Sequence, residues 1–134
     1  MEVLEKQVSF ISMPTRRVLI IEDNDPFTKT VLAVLAECGE YVADGVGTLA
    51  SAIEKLHQST YDFILCDLGL PDSRGIGIVL EIKKHTSSPV IVISGTDITD
   101  VVITSLGEIA EGYIIKCEFS LPKFQATLQR IGMA

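Results

Sequence analysis

The 134-residue sequence lacks any apolar run approaching the roughly 18 residues that a membrane span requires. Stretches such as Val18–Ile21 and Val90–Ile93 are only strand-sized. Its first residues, Met1-Glu2-Val3-Leu4-Glu5-Lys6, have no basic segment leading into an apolar one and do not read as a signal peptide. Positive charge is scarce. Eleven Lys and Arg against eighteen Asp and Glu leave a net charge of −7, which argues against nucleic acid or a membrane surface as the partner. Cysteine is sparse too: Cys38, Cys66 and Cys117 are odd in number, far apart and without a Cys-x-x-Cys pair. That pattern fits reduced thiols in a cytoplasmic setting better than a disulfide frame or a zinc site. No GxxxxGK[ST] loop occurs, which leaves a nucleotide triphosphatase without its phosphate cradle. What remains is 47% apolar and 22% charged, a globular composition of a size for one core.

Residues 1–15 read as a leader of mixed polarity with no sustained period, and residues 16–134 as a single folded domain. Within that domain strand-like and helix-like stretches alternate. The predicted strands are Arg17–Glu22, Tyr41–Val46, Asp62–Cys66, Pro89–Ser94 and Gly112–Lys116. The first is a continuous apolar run, the mark of a strand buried on both faces. The predicted helices begin at Asn24-Asp25-Pro26 (ending at Gly39), then run over Thr48–Gln58, Gly75–His85, Ile98–Ala110 and about Ser120–Ile131. Pro26 suits a first helical turn, and Phe27, Val31, Val34, Leu35 and Cys38 form an apolar stripe behind it. Such alternation predicts an α/β fold, a five-stranded parallel sheet doubly wound with five helices; the order expected of its strands is 2-1-3-4-5.

Ligands of such sheets collect beyond the carboxyl ends of the strands. Three acids stand there: Glu22 and Asp23 after the first strand, Asp67 after the third. In the expected order these strands are neighbours, so the carboxylates converge. Uncompensated charges that close would force one pKa upward; a divalent cation is the cheaper solution, and a small open oxygen site suits Mg²⁺. Ser94 and Lys116, at two further strand ends, offer a hydroxyl and a cation to a phosphoryl group. A carboxylate can itself be the nucleophile, and Asp67, between the acid pair and the Ser/Lys pair, is the candidate. Gly69 nearby can bring a backbone carbonyl close to a metal.

Taken in order, Leu19-Ile20-Ile21-Glu22-Asp23, Cys66-Asp67-Leu68-Gly69-Leu70-Pro71-Asp72, Val92-Ile93-Ser94-Gly95 and Gly112-Tyr113-Ile114-Ile115-Lys116 resemble the receiver domain of two-component response regulators over residues 17–131. The resemblance implies a flavodoxin-like fold and a set of roles. Asp67 is then the phosphoacceptor; Asp23, Asp67 and the Gly69 carbonyl bind Mg²⁺, with Glu22 acting through water. Ser94 hydrogen-bonds the phosphoryl group, Lys116 neutralises it, and Tyr113 is the aromatic whose rotamer follows Ser94. It also implies phosphate supply from a histidine kinase or a histidine phosphotransfer protein, and output to a downstream protein through the fourth helix, fifth strand and fifth helix. The apolar residues Val101, Val102, Ile103, Leu106 and Ile109 of that face either pack on the sheet or serve a homodimer or partner surface.

Two departures from the family pattern stand out. Cys117 replaces the usual proline after the lysine, so the Lys116–Cys117 bond is expected to be trans, since a cis bond without proline costs about 2.5–4 kcal/mol. Gly69 and Thr96 offer no carboxylate or amide to orient an attacking water, which predicts slow loss of the phosphoryl group. Three rival functions remain. Gly45-Val46-Gly47-Thr48-Leu49-Ala50 fits a dinucleotide-binding GxGxxA with Asp67 twenty residues beyond Gly47. An aspartyl-nucleophile phosphatase usually needs a second aspartate where Gly69 stands. A phosphate-independent interaction module on a receiver scaffold is the third. His57 and His85 are expected to be solvated residues on helix surfaces rather than ligands, and Cys38 and Cys66 small core residues.

Overall fold

The computed structural model describes residues 15–95, 107 and 109–133. Nearly all of the expected leader and most of the expected fourth helix, with Thr96 and the apolar positions from Val101 to Leu106, lie outside the described residues. Five strands form one parallel sheet: β1 (Arg16–Ile21), β2 (Tyr41–Val46), β3 (Phe63–Cys66), β4 (Val90–Ser94) and β5 (Gly112–Ile115). Their order is β2-β1-β3-β4-β5, as expected. The helices with described bounds are α1 (Asp25–Cys38), α2 (Leu49–Gln58), α3 (Gly77–Lys83) and a C-terminal helix, Leu121–Arg130; Gly107 and Ile109 are also helical.

Local chemistry explains where these helices start. The Asn24 side chain accepts from the Phe27 amide at 2.9 Å and Pro26 fills the first turn of α1. Thr48 caps α2 through the Ser51 amide, and Ser120 caps the C-terminal helix through Lys123. The third helix is shorter than the expected Gly75–His85, because the chain before it is used otherwise. Gly69–Leu70 and Ser73–Arg74 pair as a small antiparallel hairpin. Gly75, at φ +85°, turns the chain out of it, and its amide donates to the Leu68 carbonyl at 2.7 Å.

The sheet carries a core on each face. One face packs Leu19, Ile21, Ile64, Cys66, Val90 and Val92 against Ala52 of α2 and Ile78, Val79 and Ile82 of α3. The other packs Val18, Ile20, Phe63, Leu65, Ile91, Ile93 and Ile114 against α1 and the C-terminal helix. All five residues of the expected α1 stripe lie on this second core. With both faces covered, β1, β3 and β4 read as unbroken apolar runs, and the residues that follow them emerge together at one edge. Gly112 begins β5 where the C-terminal helix comes closest: a Cβ there would stand 2.9 Å from Thr127 Cγ2 and 3.3 Å from Ile91 Cγ1.

Candidate functional site

The register of the sheet sets the site. Ile21 pairs with Cys66, so Glu22 and Asp67 leave neighbouring strands side by side. Their backbones continue the ladder, with the Glu22 amide on Val46 O at 2.9 Å and the Asp67 amide on Ile21 O at 3.0 Å. Oxygen atoms from Glu22, Asp23 and Asp67 all lie within 4.8 Å of one another. The convergence expected of the three acids is therefore present. Asp23 is exposed, whereas Glu22 is only 7% and Asp67 8% exposed.

Lys116 reaches the same point from β5. Its Nζ forms an ion pair with Glu22 Oε1 and lies 3.4 Å from Asp67 Oδ2. It also sits 4.9 Å from the centroid of the Phe27 ring, a cation–π contact from the start of α1. Phe27 in turn meets Phe119 edge to face at 5.5 Å. Burial alone pulls the Lys116 ammonium down, but the Glu22 contact and the charges of Asp67 and Glu22 outweigh it and hold its pKa above the ordinary value. The expected strand Gly112–Lys116 stops one residue early, and Lys116 opens a single 3₁₀ turn, Lys116–Glu118. No cis peptide bond occurs among the described residues, so Lys116–Cys117 is trans, as expected.

Glu22 has the least satisfied environment. Neither carboxylate oxygen has an aligned hydrogen-bond donor among the described residues, the Lys116 ion pair notwithstanding. Apolar side chains of Ile20, Phe27, Val31, Leu65 and Ile93 line a small pocket beneath the acids. Desolvation first, and the close Asp67 carboxylate second, raise the Glu22 carboxyl to about 7. An acidic cluster with one orphaned buried carboxylate, only partly balanced by one lysine, is a donor set that fits a hard divalent cation. Beside it, the Asp67 Oδ1 accepts from the Leu68 amide at 2.8 Å. A Cβ at Gly69 would stand 4.0 Å from Asp67 Oδ2.

Ser94, 8% exposed, ends β4 opposite Ile115. Val92 is the partner of Tyr113, so by strand alternation Ser94 and Tyr113 belong to the same face of the sheet. Tyr113 is half-buried against the α3-side core. Cys66 and Cys38 are core or near-core residues and Cys117 is exposed; all three are free thiols. Burial, then the Asp67 and Glu22 charges, push the Cys66 thiol up and away from reactivity.

Two residues have roles beyond those their sequence positions announce. Phe27, part of the α1 stripe, also lies under the Lys116 ammonium. Asp72, in the small hairpin, spans both leading amides of α2: its Oδ1 accepts from Leu49 at 2.9 Å and its Oδ2 from Ala50 at 3.0 Å. These are the amides that a pyrophosphate would need after Gly45 and Gly47, and a carboxylate already holds them. Gly45 itself lies inside β2, paired with Ile20. The dinucleotide-binding reading is not favoured.

A doubly wound parallel sheet with acids, a serine and a lysine gathered at its carboxyl edge places the chain in the class of flavodoxin-like domains. The family model for the response regulator receiver domain matches residues 18–129, and the chain belongs to that family, the receivers of two-component response regulators. Curated relatives include the transcriptional regulatory protein KdpE of Staphylococcus aureus, 33% identical over 115 residues covering 86% of this chain and 49% of that protein. BasR of Escherichia coli is 29% identical over 116 residues, covering 86% of this chain and 51% of that protein. The chain spans about half the length of these relatives. Among solved structures, a CheY-like receiver domain from Methylobacillus flagellatus superposes with a TM-score of 0.74 at 24% identity, covering 88% of this chain and 99% of that one. That likeness bears on the fold.

Proposed function

We propose that this receiver is switched by phosphorylation of Asp67, with phosphate supplied by a histidine kinase or a histidine phosphotransfer protein. The observation that carries the reading is the convergence of Glu22, Asp23, Asp67 and Lys116, with the Glu22 carboxylate buried and under-satisfied. An Asp67 oxygen attacks the phosphorus of a phosphohistidine; the P–N bond breaks and the imidazole leaves, taking up a proton. Mg²⁺, when bound, supplies neutralising charge at the phosphoryl oxygens. Asp23, Asp67 and the Gly69 carbonyl would hold it directly, and Glu22 through water.

Lys116, drawn to the two carboxylates in the unphosphorylated chain, would turn to the phosphoryl group. Ser94 would donate its hydroxyl to the same group, and Tyr113 would follow into the space released on their common face. Output would then pass to a downstream protein, from a cytoplasmic location and without nucleic acid contact by this domain. No described helix is long and apolar enough to cross a membrane. The domain boundary near residue 16 and a homodimer through the face after β4 belong to the same proposal.

The test is labelling by acetyl phosphate, or binding of beryllofluoride, with and without Mg²⁺. Labelling that requires Mg²⁺ and vanishes in Asp67→Asn, with an unchanged circular dichroism spectrum, is the expected result. Full labelling of a folded Asp67→Asn chain would overturn it.

A further inference from the structure

Two histidines that sit 28 residues apart in the chain meet at the other end of the sheet. His57 lies in the last turn of α2, and His85 two residues beyond the end of α3. Helices run back from the carboxyl edge of the strands, so this meeting point is remote from the acids. His57 Nε2 stands 2.9 Å from His85 Nδ1, with ring centroids 4.9 Å apart and planes tilted by 54°. The second nitrogen of His85, Nε2, faces Glu81 Oε1 at 3.6 Å. The other oxygen of Glu81 accepts from Lys84 Nζ at 3.1 Å. Both histidines are carried on hydrogen-bonded backbone: the His85 amide donates to Ile82 O at 2.9 Å, and α2 closes through Ser59 on Lys55 O at 3.0 Å.

The chemistry of this triad is directional. A neutral imidazole has one N–H and one lone pair. A carboxylate facing His85 Nε2 favours the proton there, which turns the Nδ1 lone pair toward His57. His57 Nε2 either donates its own proton into that lone pair or, with the proton moved to Nδ1, presents a second lone pair beside it. Two nitrogens bound at about 2.0–2.1 Å to one zinc ion stand roughly 2.9–3.4 Å apart for angles between a right angle and the tetrahedral one. The observed separation falls at the short end of that range. A carboxylate behind one ligating imidazole is also the usual outer partner of a histidine–metal bond, setting tautomer and ring orientation.

We propose that His57 and His85 bind a borderline divalent transition cation, Zn²⁺ being the probe, through His57 Nε2 and His85 Nδ1. Glu81 is the positioning carboxylate, and water completes the coordination. Imidazole nitrogens suit such a cation, while the oxygen set of Glu22, Asp23 and Asp67 suits a hard one. The two sites are therefore separable by metal as well as by position. Occupancy would fasten the end of α2 to the end of α3.

Zn²⁺ titrated calorimetrically into the full chain, in Mg²⁺ sufficient to occupy the oxygen site, tests this. One Zn²⁺ per chain is expected, bound about tenfold or more weakly in His57→Gln and in His85→Gln, and about tenfold more weakly in Glu81→Ala. Affinity should be unchanged in Asp23→Asn, which leaves both imidazoles in place. Cu²⁺ bound in place of Zn²⁺ should show coupling to two nitrogens by electron paramagnetic resonance, reduced to one in either histidine variant. Zn²⁺ affinity within about twofold of the parent in either folded histidine variant would overturn the site, as would its loss in Asp23→Asn.

Discussion

Glu22 and Asp72 are two carboxylates with opposite electrostatic fates, and each yields a pH-dependent prediction. Glu22 holds its proton in the folded chain to about 7, against 4.5 for an ordinary glutamate, chiefly because burial disfavours its charge. Between those values the folded state binds more protons than the unfolded one, so this group's contribution to stability declines as pH rises through that window and is level above it. Thermal melts in a chelator should show that decline. Glu22→Gln should abolish it, and added Mg²⁺ should offset it in the parent; equal pH profiles for parent and variant would contradict the assignment. Asp72 goes the other way, its pKa lowered by the Leu49 and Ala50 amides of α2. Its stabilisation is present above the ordinary value of 3.8 and is lost as pH falls through the lower folded value. Asp72→Asn should melt earlier than the parent at neutral pH, and the gap should close in acid. Glu22, Asp23 and Asp67 were legible in the sequence because each follows an apolar run whose end marks the sheet edge. Asp72 and Phe27 were not. A cap formed across more than twenty residues and a ring placed under a lysine depend on how helices sit against strands, which periodicity does not encode.

At the level of elements, continuous apolar stretches such as Val18–Ile21 and Val90–Ile93 located the strands to within a residue, and Asn24 with Pro26 located the start of α1. The third helix was overextended because Gly75 and Ile76 lie in register with its apolar residues, while the preceding hairpin is too short to show any alternation. The meeting of His57 and His85 was hidden for a related reason: one lies in the last turn of α2 and the other just beyond α3, and only the packing of α2 beside α3 joins them. The contact between β5 and the C-terminal helix is the tightest of the described glycine approaches. Thr127 is buried and its hydroxyl is committed to the Lys123 carbonyl at 2.9 Å, so it cannot easily give way. Gly112→Ala should cost about 1–3 kcal/mol through overpacking, read as a lower urea midpoint with an unchanged slope. A midpoint equal to the parent's would mean that the helix yields freely there.

For the molecule as a whole, the order of the sheet was readable because strands that alternate with helices admit few arrangements, and both faces of this one are covered. The lifetime of its signal is a property of the assembled site rather than of any one strand. Gly69 stands beside Asp67 without a side chain to orient water, so phosphoryl loss from the parent is expected to be slow, and Gly69→Asn should hasten it in a time course of label release. An unchanged rate would count against that role. The hairpin after β3 has a wider consequence. It begins at Leu68, whose amide rests on the Asp67 carboxylate, and carries Asp72, which grips α2. Five residues, Leu68 to Asp72, thus join the Asp67 carboxylate to the leading amides of α2. On the proposed function, a change at Asp67 is expected to reach the start of α2 as well as Tyr113, and amide exchange at Leu49 and Ala50 with and without beryllofluoride checks this.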